Sequence, residues 1–242
     1  MTRFLMFLAV AGCGRLGFDP LSAVTSDAGG DAGSMGLLAA WSFDEGVGLV
    51  AYDASGHGND LNLVGTPQWV AGHADTALGL AGTTSWGATS AAPVLHMTPA
   101  FSIEAWAQIA TFDTYRVITD KSSTAAFEYW FGYNPSNQAC FLVNQGSLSS
   151  EDRIDACTAT TITDSGWHHL VATFDGTSVV MYLDGVAGTP KVVSNPPFAA
   201  TNPVLIGHSS FWDYNPWDGA IDAVRIYQRV LTAFEIANPD AR

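Results

Sequence analysis

Residues 166–188 read GWHHLVATFDGTSVVMYLDGVAG, and this stretch predicts two antiparallel strands, each followed by a tight turn. Trp167–Phe174 and Ser178–Leu183 are rich in β-branched and aromatic residues, which favour strands. An Asp-Gly pair follows each run and supplies the positive φ angles that hairpin turns need. Because side chains alternate between the two faces of a strand, His168 and His169 would point in opposite directions and could not share a metal ion.

Short apolar runs broken by Gly, Pro, Asn and Asp continue over residues 37–242, which we assign to one all-β domain. A helical turn is predicted only at Thr232–Ala237, where Thr232 and Glu235 have the spacing of a capping box. The predicted strands are Leu37–Phe43, Ala77–Leu80, Phe101–Ile109, Arg116–Lys121, Glu128–Tyr133, Ala139–Asn144, Trp167–Phe174, Ser178–Leu183, Val204–Gly207 and Ala220–Tyr227.

Five segments carry recognisable motifs: LAAWSFDEG at 38–46, DASGHGNDL at 53–61, FSIEAW at 101–106, WHHLVA to LDG at 167–185, and GAIDAVRIYQRVL at 219–231. In this order they resemble the laminin-G-like, concanavalin A-like lectin/glucanase family. The resemblance implies a jelly-roll sandwich of two antiparallel sheets. It implies little about function, because this fold is found in lectins, enzymes, adhesins and spacers.

The chain is strongly acidic, with 9 Lys and Arg against 23 Asp and Glu and a formal net charge of −14. Nucleic acids and anionic membrane surfaces attract clustered Lys and Arg, so the charge argues against both as partners. It permits binding of cations or neutral sugars. The alternative is that the acidity only keeps an exported protein soluble.

The N-terminus predicts export and a lipid anchor. Residues 1–12 contain one basic residue and then an apolar run too short to cross a bilayer, as in a signal peptide. Val10-Ala11-Gly12-Cys13 resembles a bacterial lipobox, which implies cleavage before Cys13 and lipid attachment to that cysteine. Residues 13–36 would form a flexible tether rich in Asp, Ala, Gly and Ser. We therefore expect an exported protein anchored in the cell envelope, at the outer membrane, with no other membrane contact.

Two further cysteines, Cys140 and Cys157, remain in the predicted domain. An even pair in an exported domain predicts a disulfide, with the residues between them in a loop or hairpin. Two buried free thiols are the alternative.

The resemblance also implies a calcium site where the first strand ends, the Gly/Asn loop turns and the last strand begins. Its expected ligands are Asp222 first, then Asn59, Asp44 and Asp53, because calcium prefers carboxylate and carbonyl oxygens. Two alternatives remain open. Asp53 and Asn59 could be turn formers, and Asp222 could pair with Arg225 or cap a backbone group.

The sequence does not predict an enzyme. Laminarinase-type hydrolases of this fold carry E-x-D-x-x-E on one strand, and that pattern is absent from the chain. Glu104 is the only acid within a strongly apolar strand, and its family position implies a buried structural role. A glycan-cleaving hydrolase or lyase is therefore a disfavoured alternative.

Exposed aromatic side chains are the expected ligand contacts. Trp212 and Tyr214 lie in an aromatic segment between two strands, and Tyr129 and Tyr133 form a second candidate group. The alternative for each is packing on the sandwich core, which we expect for Trp217. The resulting hypothesis is a surface-anchored lipoprotein whose domain binds carbohydrate noncovalently. A protein-binding adhesion or scaffold module is the alternative.

Overall fold

The computed structural model describes residues 35–90, 93–123, 127–146, 152–195, 197–211 and 216–241. Within these ranges there are seventeen strands and one short α-helix, α1 (Ala233–Ala237). The strands in chain order are β1 (Leu37–Trp41), β2 (Val50–Ala51), β3 (Leu61–Val64), β4 (Gln68–Ala71), β5 (Thr76–Ala81), β6 (Trp86–Thr89), β7 (Phe101–Ile109), β8 (Arg116–Ser122), β9 (Phe127–Tyr133), β10 (Gln138–Asn144), β11 (Arg153–Thr161), β12 (Trp167–Phe174), β13 (Ser178–Leu183), β14 (Val186–Ala187), β15 (Lys191–Val192), β16 (Val204–Ile206) and β17 (Asp218–Tyr227).

The strands form two antiparallel sheets, which confirms the predicted jelly-roll class. Sheet A has nine strands in the order β14-β13-β12-β7-β17-β5-β4, with β1 paired to β17 and β15 paired to β13. Sheet B has eight strands in the order β11-β10-β9-β8-β16-β6-β3-β2. The main hydrophobic core lies between the sheets and includes Ile103 and Ala105 from sheet A, and Phe131 and Phe141 from sheet B.

The hairpin quoted first lies within sheet A, where β12 pairs with β7 on one side and with β13 on the other. Asp184 and Gly185 have φ angles of 49° and 78°, the left-handed conformations of a two-residue turn between β13 and β14. Asp175 orders the earlier turn, since its Oδ1 accepts hydrogen bonds from the backbone N–H groups of Thr177 and Ser178.

The predicted disulfide is present. Cys140 on β10 and Cys157 on β11 are directly paired across the strands and joined with an S–S distance of 2.07 Å. The strand β11 itself was not among the predicted strands, because its sequence RIDACTATT is polar and lies at the edge of sheet B.

The N-terminal predictions fall mostly outside the described residues. The signal segment, Cys13 and all of the tether before Met35 precede the first described residue. In the part of the chain that is described, no helix is long and apolar enough to cross a membrane.

Candidate functional site

A row of polar and aromatic side chains crosses the outer face of sheet A, on the side away from the core. Ile103, Ala105 and Ala107 of β7 point into the core, so Glu104 and Trp106 lie on the opposite face. Trp106 is directly paired with His169 of β12 and with Asp222 of β17, and the backbone N–H of Asp184 donates to the carbonyl of His169 at 2.8 Å. The row therefore runs from Asp184, in the turn after β13, through His169 of β12 and Trp106 of β7 to Asp222 of β17.

A β-bulge in β17 sets the position of the acid in this row. The pairing between β17 and β7 shifts between Asp222 and Arg225, where Ala223 adopts a φ of 46°. As a result Asp222 lies beside Trp106, while Arg225 lies beside Glu104.

Trp106 is half-buried and lies between two histidine rings. The His73 ring stacks on it with a centroid distance of 3.5 Å and an interplanar angle of 11°. The His169 ring lies 5.1 Å away at 37°. These two contacts fix the orientation of the indole.

Glu104 is buried beside the row and makes several polar contacts, as expected from the sequence. Its carboxylate is 1% exposed and accepts hydrogen bonds from the hydroxyl of Tyr227 at 2.9 Å and from Arg225 at 3.3 Å. It also contacts Nε2 of His169 at 3.1 Å. Since an ionised carboxylate only accepts hydrogen bonds, Nε2 must carry the proton in this contact. The other ring nitrogen of His169, Nδ1, is buried and has no hydrogen-bond partner.

Asp184 closes one end of the row. Its Oδ1 accepts the backbone N–H of His169 at 2.9 Å, and its Oδ2 lies 2.8 Å from Nδ1 of His168. Burial raises the pKa of Asp184, but these hydrogen bonds outweigh it and hold the pKa below its usual range. The same contact raises the pKa of His168, against its burial. The side chain of His168 points to the opposite side of the strand from that of His169, as the alternation predicted.

The C-terminal segment forms one wall along the row. The capping box of α1 is present, and Arg229 binds the Glu235 carboxylate, which lowers the pKa of Glu235 to about 2. Ile236 packs against Val171 and Tyr227 on the outer face of sheet A. This docking places the residues after α1 beside Trp106.

Two adjoining cavities result, and both are lined by Trp106 and Pro239. The larger, of about 520 Å³, is also lined by His73, Asp222, Arg225 and Asp240. The smaller, of about 380 Å³, is also lined by His169, Asp184, Val186 and Ile236. We call these two cavities together the Trp106 groove.

At the far end of the groove, the predicted calcium ligand Asp222 lines the larger cavity, and a second predicted ligand, Asp44, lies nearby. Asp222 is 2% exposed, and its Oδ2 accepts the backbone N–H groups of His73 at 2.9 Å and Ala74 at 3.2 Å. Asp44 accepts the N–H of Thr76 at 3.1 Å. Burial raises the pKa of Asp222 to about 6, and the nearby Asp44 charge adds to the rise. Asp222 therefore caps a backbone turn, which was one of the alternatives.

Gly72 leaves a small space among oxygen atoms in that turn. A Cβ placed on Gly72 would lie 2.5 Å from the carbonyl oxygen of Ala74, and 2.7 Å from both Oδ2 of Asp222 and the carbonyl oxygen of Thr76. These three oxygens face one point, so a side chain at residue 72 would displace the turn.

The other two predicted ligands lie in a separate network along β1. The Asp53 carboxylate accepts the backbone N–H groups of Ala40, Ser55 and Asn59, each at 2.9 Å. The Asn59 side-chain amide donates to the carbonyl of Leu38 at 2.9 Å. Asp53 and Asn59 therefore make the contacts of turn formers, which was the alternative given for these two residues. No group of three or more His, Cys, Asp or Glu side chains in the described ranges is arranged to hold a metal ion.

Of the four aromatic residues predicted to contact a ligand, two lie outside the described residues and two are buried. Trp212 and Tyr214 lie outside the described residues. Tyr129 and Tyr133 are 0% and 1% exposed in the main core, so the prediction that they contact a ligand is wrong for this structure. Tyr129 packs on Phe141 at 5.9 Å because the side chains of Tyr129, Phe131 and Tyr133 face the core. Trp217 is also in the core, as expected.

Sequence reasoning missed Trp106 and His73 as site residues. Trp106 alternates with apolar residues along its strand, so it lies on the face opposite the core. This alternation could have identified Trp106 as a residue outside the core. His73 carried no local signal, since only the pairing of β17 with β5 brings its loop to the groove.

Comparison with known proteins supports the fold. A family model described as the concanavalin A-like lectin/glucanases superfamily matches residues 81–237. Among curated proteins no sequence matches the chain. Domain 4 of AbnA, an extracellular arabinanase from Geobacillus stearothermophilus, solved with arabinotriose, is similar in structure. Its TM-score is 0.68 at 21% identity, over 84% of this chain and 97% of that one.

Toxin binding domains are also similar in structure. One is a structure of botulinum neurotoxin type C, with a TM-score of 0.65 at 14% identity. Cell entry of that toxin is described as dependent on interaction with two ganglioside molecules. The binding domain of botulinum neurotoxin DC in complex with rat synaptotagmin II has the same TM-score and identity. Each match covers 86% of this chain but only 51% and 52% of the toxin chains. At these identities the likeness shows the fold alone.

Proposed function

Because the chain belongs to the concanavalin A-like lectin/glucanase superfamily, we propose that its domain binds carbohydrate noncovalently in the Trp106 groove. One observation carries the proposal. A fixed, half-buried indole lines two adjoining cavities whose other walls include carboxylates, an arginine and histidines beside apolar side chains. Binding sites for small ligands combine an apolar surface with a few placed polar groups in this way.

Sugars suit this chemistry because each hydroxyl both donates and accepts a hydrogen bond. Asp184 can accept from hydroxyls, and Arg225 can donate to them. The indole edge offers apolar contact to the C–H groups of a sugar ring. Four strands spaced about 4.8 Å apart give the row a length of about 14 Å, which suits a short oligosaccharide rather than one sugar.

We propose binding without cleavage. Glu104 is held by Tyr227, Arg225 and His169 and is 1% exposed, and Asp222 accepts backbone N–H groups of its neighbouring turn. A glycosidase needs two carboxyl groups free to act on one bond. Incubation with oligosaccharides should therefore release no new reducing ends, and their release would contradict this part of the proposal.

Calorimetric titration with oligosaccharides first selected on a glycan array tests the binding site. Trp106→Ala should abolish binding. Trp86→Ala is the matched control, because Trp86 is also half-buried and stacked on a histidine, His208, at 4.8 Å, but belongs to sheet B. Binding that survives Trp106→Ala, or is lost equally in both variants, would overturn the groove as the site. A blank array would instead favour a protein partner.

We also propose a calcium ion at the far end of the groove, held by Asp222, Asp44 and backbone carbonyls of the 72–76 turn. The neighbouring Asp222 and Asp44 carboxylates and the carbonyl oxygens of this turn are the hard donors that calcium prefers. Bound calcium would stiffen the turn that carries His73. Chelator should lower the melting temperature of the wild type but not of Asp44→Asn, with Asp113→Asn as the control that stays sensitive. An unchanged wild-type melting temperature would overturn the site.

Export and lipid anchoring through Cys13 complete the proposal. The lipobox-like segment supports it, as does the disulfide, since disulfides persist in oxidising compartments. Cys13→Ala should move the expressed protein from the membrane fraction to the soluble fraction. Equal fractionation of both forms would contradict the anchor.

A further inference from the structure

We propose that two copies of this chain associate through the edge strand β4, in an antiparallel pairing that continues sheet A from one copy into the other. The pairing is centred on Val70, which lies opposite its counterpart in the second copy.

The backbone of β4 has an open hydrogen-bonding edge. β4 is the last strand of sheet A and pairs only with β5 among the described strands. At the turn between them, the N–H of Gly72 donates to the carbonyl of Asp75 at 3.1 Å. Because bonded and non-bonded positions alternate in an antiparallel pair, the N–H and C=O groups of Trp69 and Ala71 point away from β5. An edge of this kind is a template for a further strand.

The other long edges in the described ranges are covered or charged. In sheet A, the loop 53–59 covers β1, and its Asp53 carboxylate accepts the N–H of Ala40 at 2.9 Å. In sheet B, the edge strand β11 carries Arg153 and Asp155. Covering loops and charged side chains are the usual protection against edge pairing. By contrast, β4 has the uncharged sequence QWVA, and three of its four residues are exposed.

Apolar side chains border this edge. The indole Nε1 of Trp69 donates to the carbonyl of Gly48 at 3.3 Å, which holds the loop before β2 beside β4. Val47 and Leu49 of that loop are 76% and 56% exposed, and Val70 itself is 37% exposed. Apolar side chains exposed together in this way mark a surface that contacts another protein.

The charge of the chain identifies the partner as a second copy. Residues 46–52 and 61–74 contain no Asp, Glu, Lys or Arg, although the chain has a formal net charge of −14. Two copies repel each other over most of their surface, so they can meet only where charge is absent. A second copy also brings an equally open β4, and a two-fold axis presents it in the antiparallel direction.

Strand geometry gives the register. Centring the pair on Val70 places Trp69 of each copy opposite Ala71 of the other, and each of these pairs exchanges two hydrogen bonds. The two Val70 residues then form a non-bonded pair with Cα atoms about 4.5 Å apart. The two Gln68 residues lie about 14 Å apart, since each residue adds about 3.4 Å along a strand.

Disulfide trapping tests this register in a Cys13→Ala background, where the remaining cysteines are those of the Cys140–Cys157 bond. Val70→Cys should form a covalent dimer under mild oxidation, because its Cα separation matches that of a disulfide. Gln68→Cys is the matched control, since it is exposed on the same strand and should stay monomeric. Crosslinking of neither variant, of both equally, or of Gln68→Cys alone would overturn the pairing.

Sedimentation equilibrium from about 1 μM to about 1 mM measures the dimer itself, which is weak because the edge and its border are small. Val70→Lys should raise the dissociation constant at least about tenfold, because two like charges then meet at the axis. Its melting temperature should stay that of the wild type, since the side chain is exposed. Added salt should strengthen the wild-type dimer by screening the repulsion between two acidic chains.

Val192→Lys is the control for added charge. Val192 is 67% exposed on the short edge strand β15 at the opposite end of sheet A, so this variant should dimerise like the wild type. A wild type that stays monomeric at about 1 mM would overturn the proposal. Equal loss of the dimer in Val192→Lys and Val70→Lys, or a dimer that salt dissociates, would overturn it as well.

Discussion

The outer faces of the two sheets carry different kinds of side chains. On sheet A the outer face carries the polar row of the Trp106 groove, and α1 covers only the neighbouring apolar part. On sheet B the outer face carries a second hydrophobic cluster of buried residues: Val117, Phe127, Trp130, Cys140 and Leu142. Phe211 and Tyr115 pack against that cluster from outside. Among the described residues, hydrophobic side chains pack together on the outer face of sheet B, whereas two cavities lie along the polar row of sheet A.

Polar groups follow the same division. On sheet B, Asp120 is fully buried and accepts the hydroxyl of Ser122 at 2.6 Å. Burial raises the pKa of Asp120 to about 7, against the hydrogen bonds from Ser122, Ser209 and Ser210. On sheet A the carboxylates line cavities. The comparison suggests that sheet B serves stability and sheet A serves binding, and substitutions on the two faces should separate these roles.

The largest effect is expected from Trp130→Ala on sheet B. Trp130 is 0% exposed, so its truncation should leave a cavity and cost about 3–5 kcal/mol of unfolding free energy. Urea denaturation measures it. A loss below about 1 kcal/mol would mean that the outer cluster of sheet B does not stabilise the fold.

Removing the disulfide should have the next largest effect. The Cys140–Cys157 bond closes a loop with a sequence separation of 17 and fixes the edge strand β11 against β10. The double variant Cys140→Ser, Cys157→Ser should lose about 3 kcal/mol, mainly because its unfolded chain is less restricted. Denaturation of the wild type under reducing conditions should reproduce the loss, and disagreement between the two would point to a local defect of the serines.

Asp120 should make stability depend on pH. Its folded-state pKa of about 7 lies above its unfolded value of 3.8, so the folded state holds this proton to higher pH. The stabilisation is full at low pH and is lost as the pH rises through 7. Between about pH 5 and about pH 7 the wild type should lose about 2 kcal/mol relative to Asp120→Asn. Parallel stability curves for the two proteins would contradict an ionising Asp120.

The smallest stability effect is expected from Trp106→Ala. The side chain is half-buried and loses mainly its ring contacts with His73 and His169, worth about 1–1.5 kcal/mol. The same variant should lose glycan binding, whereas a stable sheet B variant such as Asp120→Asn should keep it. A loss as large as that of Trp130→Ala would place Trp106 among the structural residues instead.

Local sequence signals were sufficient for most of the fold. The ends of β7, β12 and β13 are where the apolar runs and Asp-Gly pairs predicted them, and the capping box of α1 is present. The missed strands are short or polar. The segment LNLV of β3 has only four residues, and β11 is an edge strand, so neither needs a long apolar run.

The site depended on information that no local pattern contains. Asp53 and Asp222 were both predicted calcium ligands, yet Asp53 orders a loop along β1 and Asp222 lies beside Trp106. Tyr129 and Tyr133 read as aromatic contacts, but the register of β9 directs them into the core. A shift of one residue would have turned both onto the outer face of sheet B.

The sequence alone determined the all-β class, the hairpin turns and the disulfide pair, because alternation, turn chemistry and cysteine count act over short distances, and its family resemblance implied the jelly roll. The tertiary structure alone decided which polar residues meet. The pairing of β7 with β12 and β17 brings His169 and Asp222 to Trp106, and β17 beside β5 brings the loop of His73. Those contacts join residues far apart in the chain, and only the strand register fixes them.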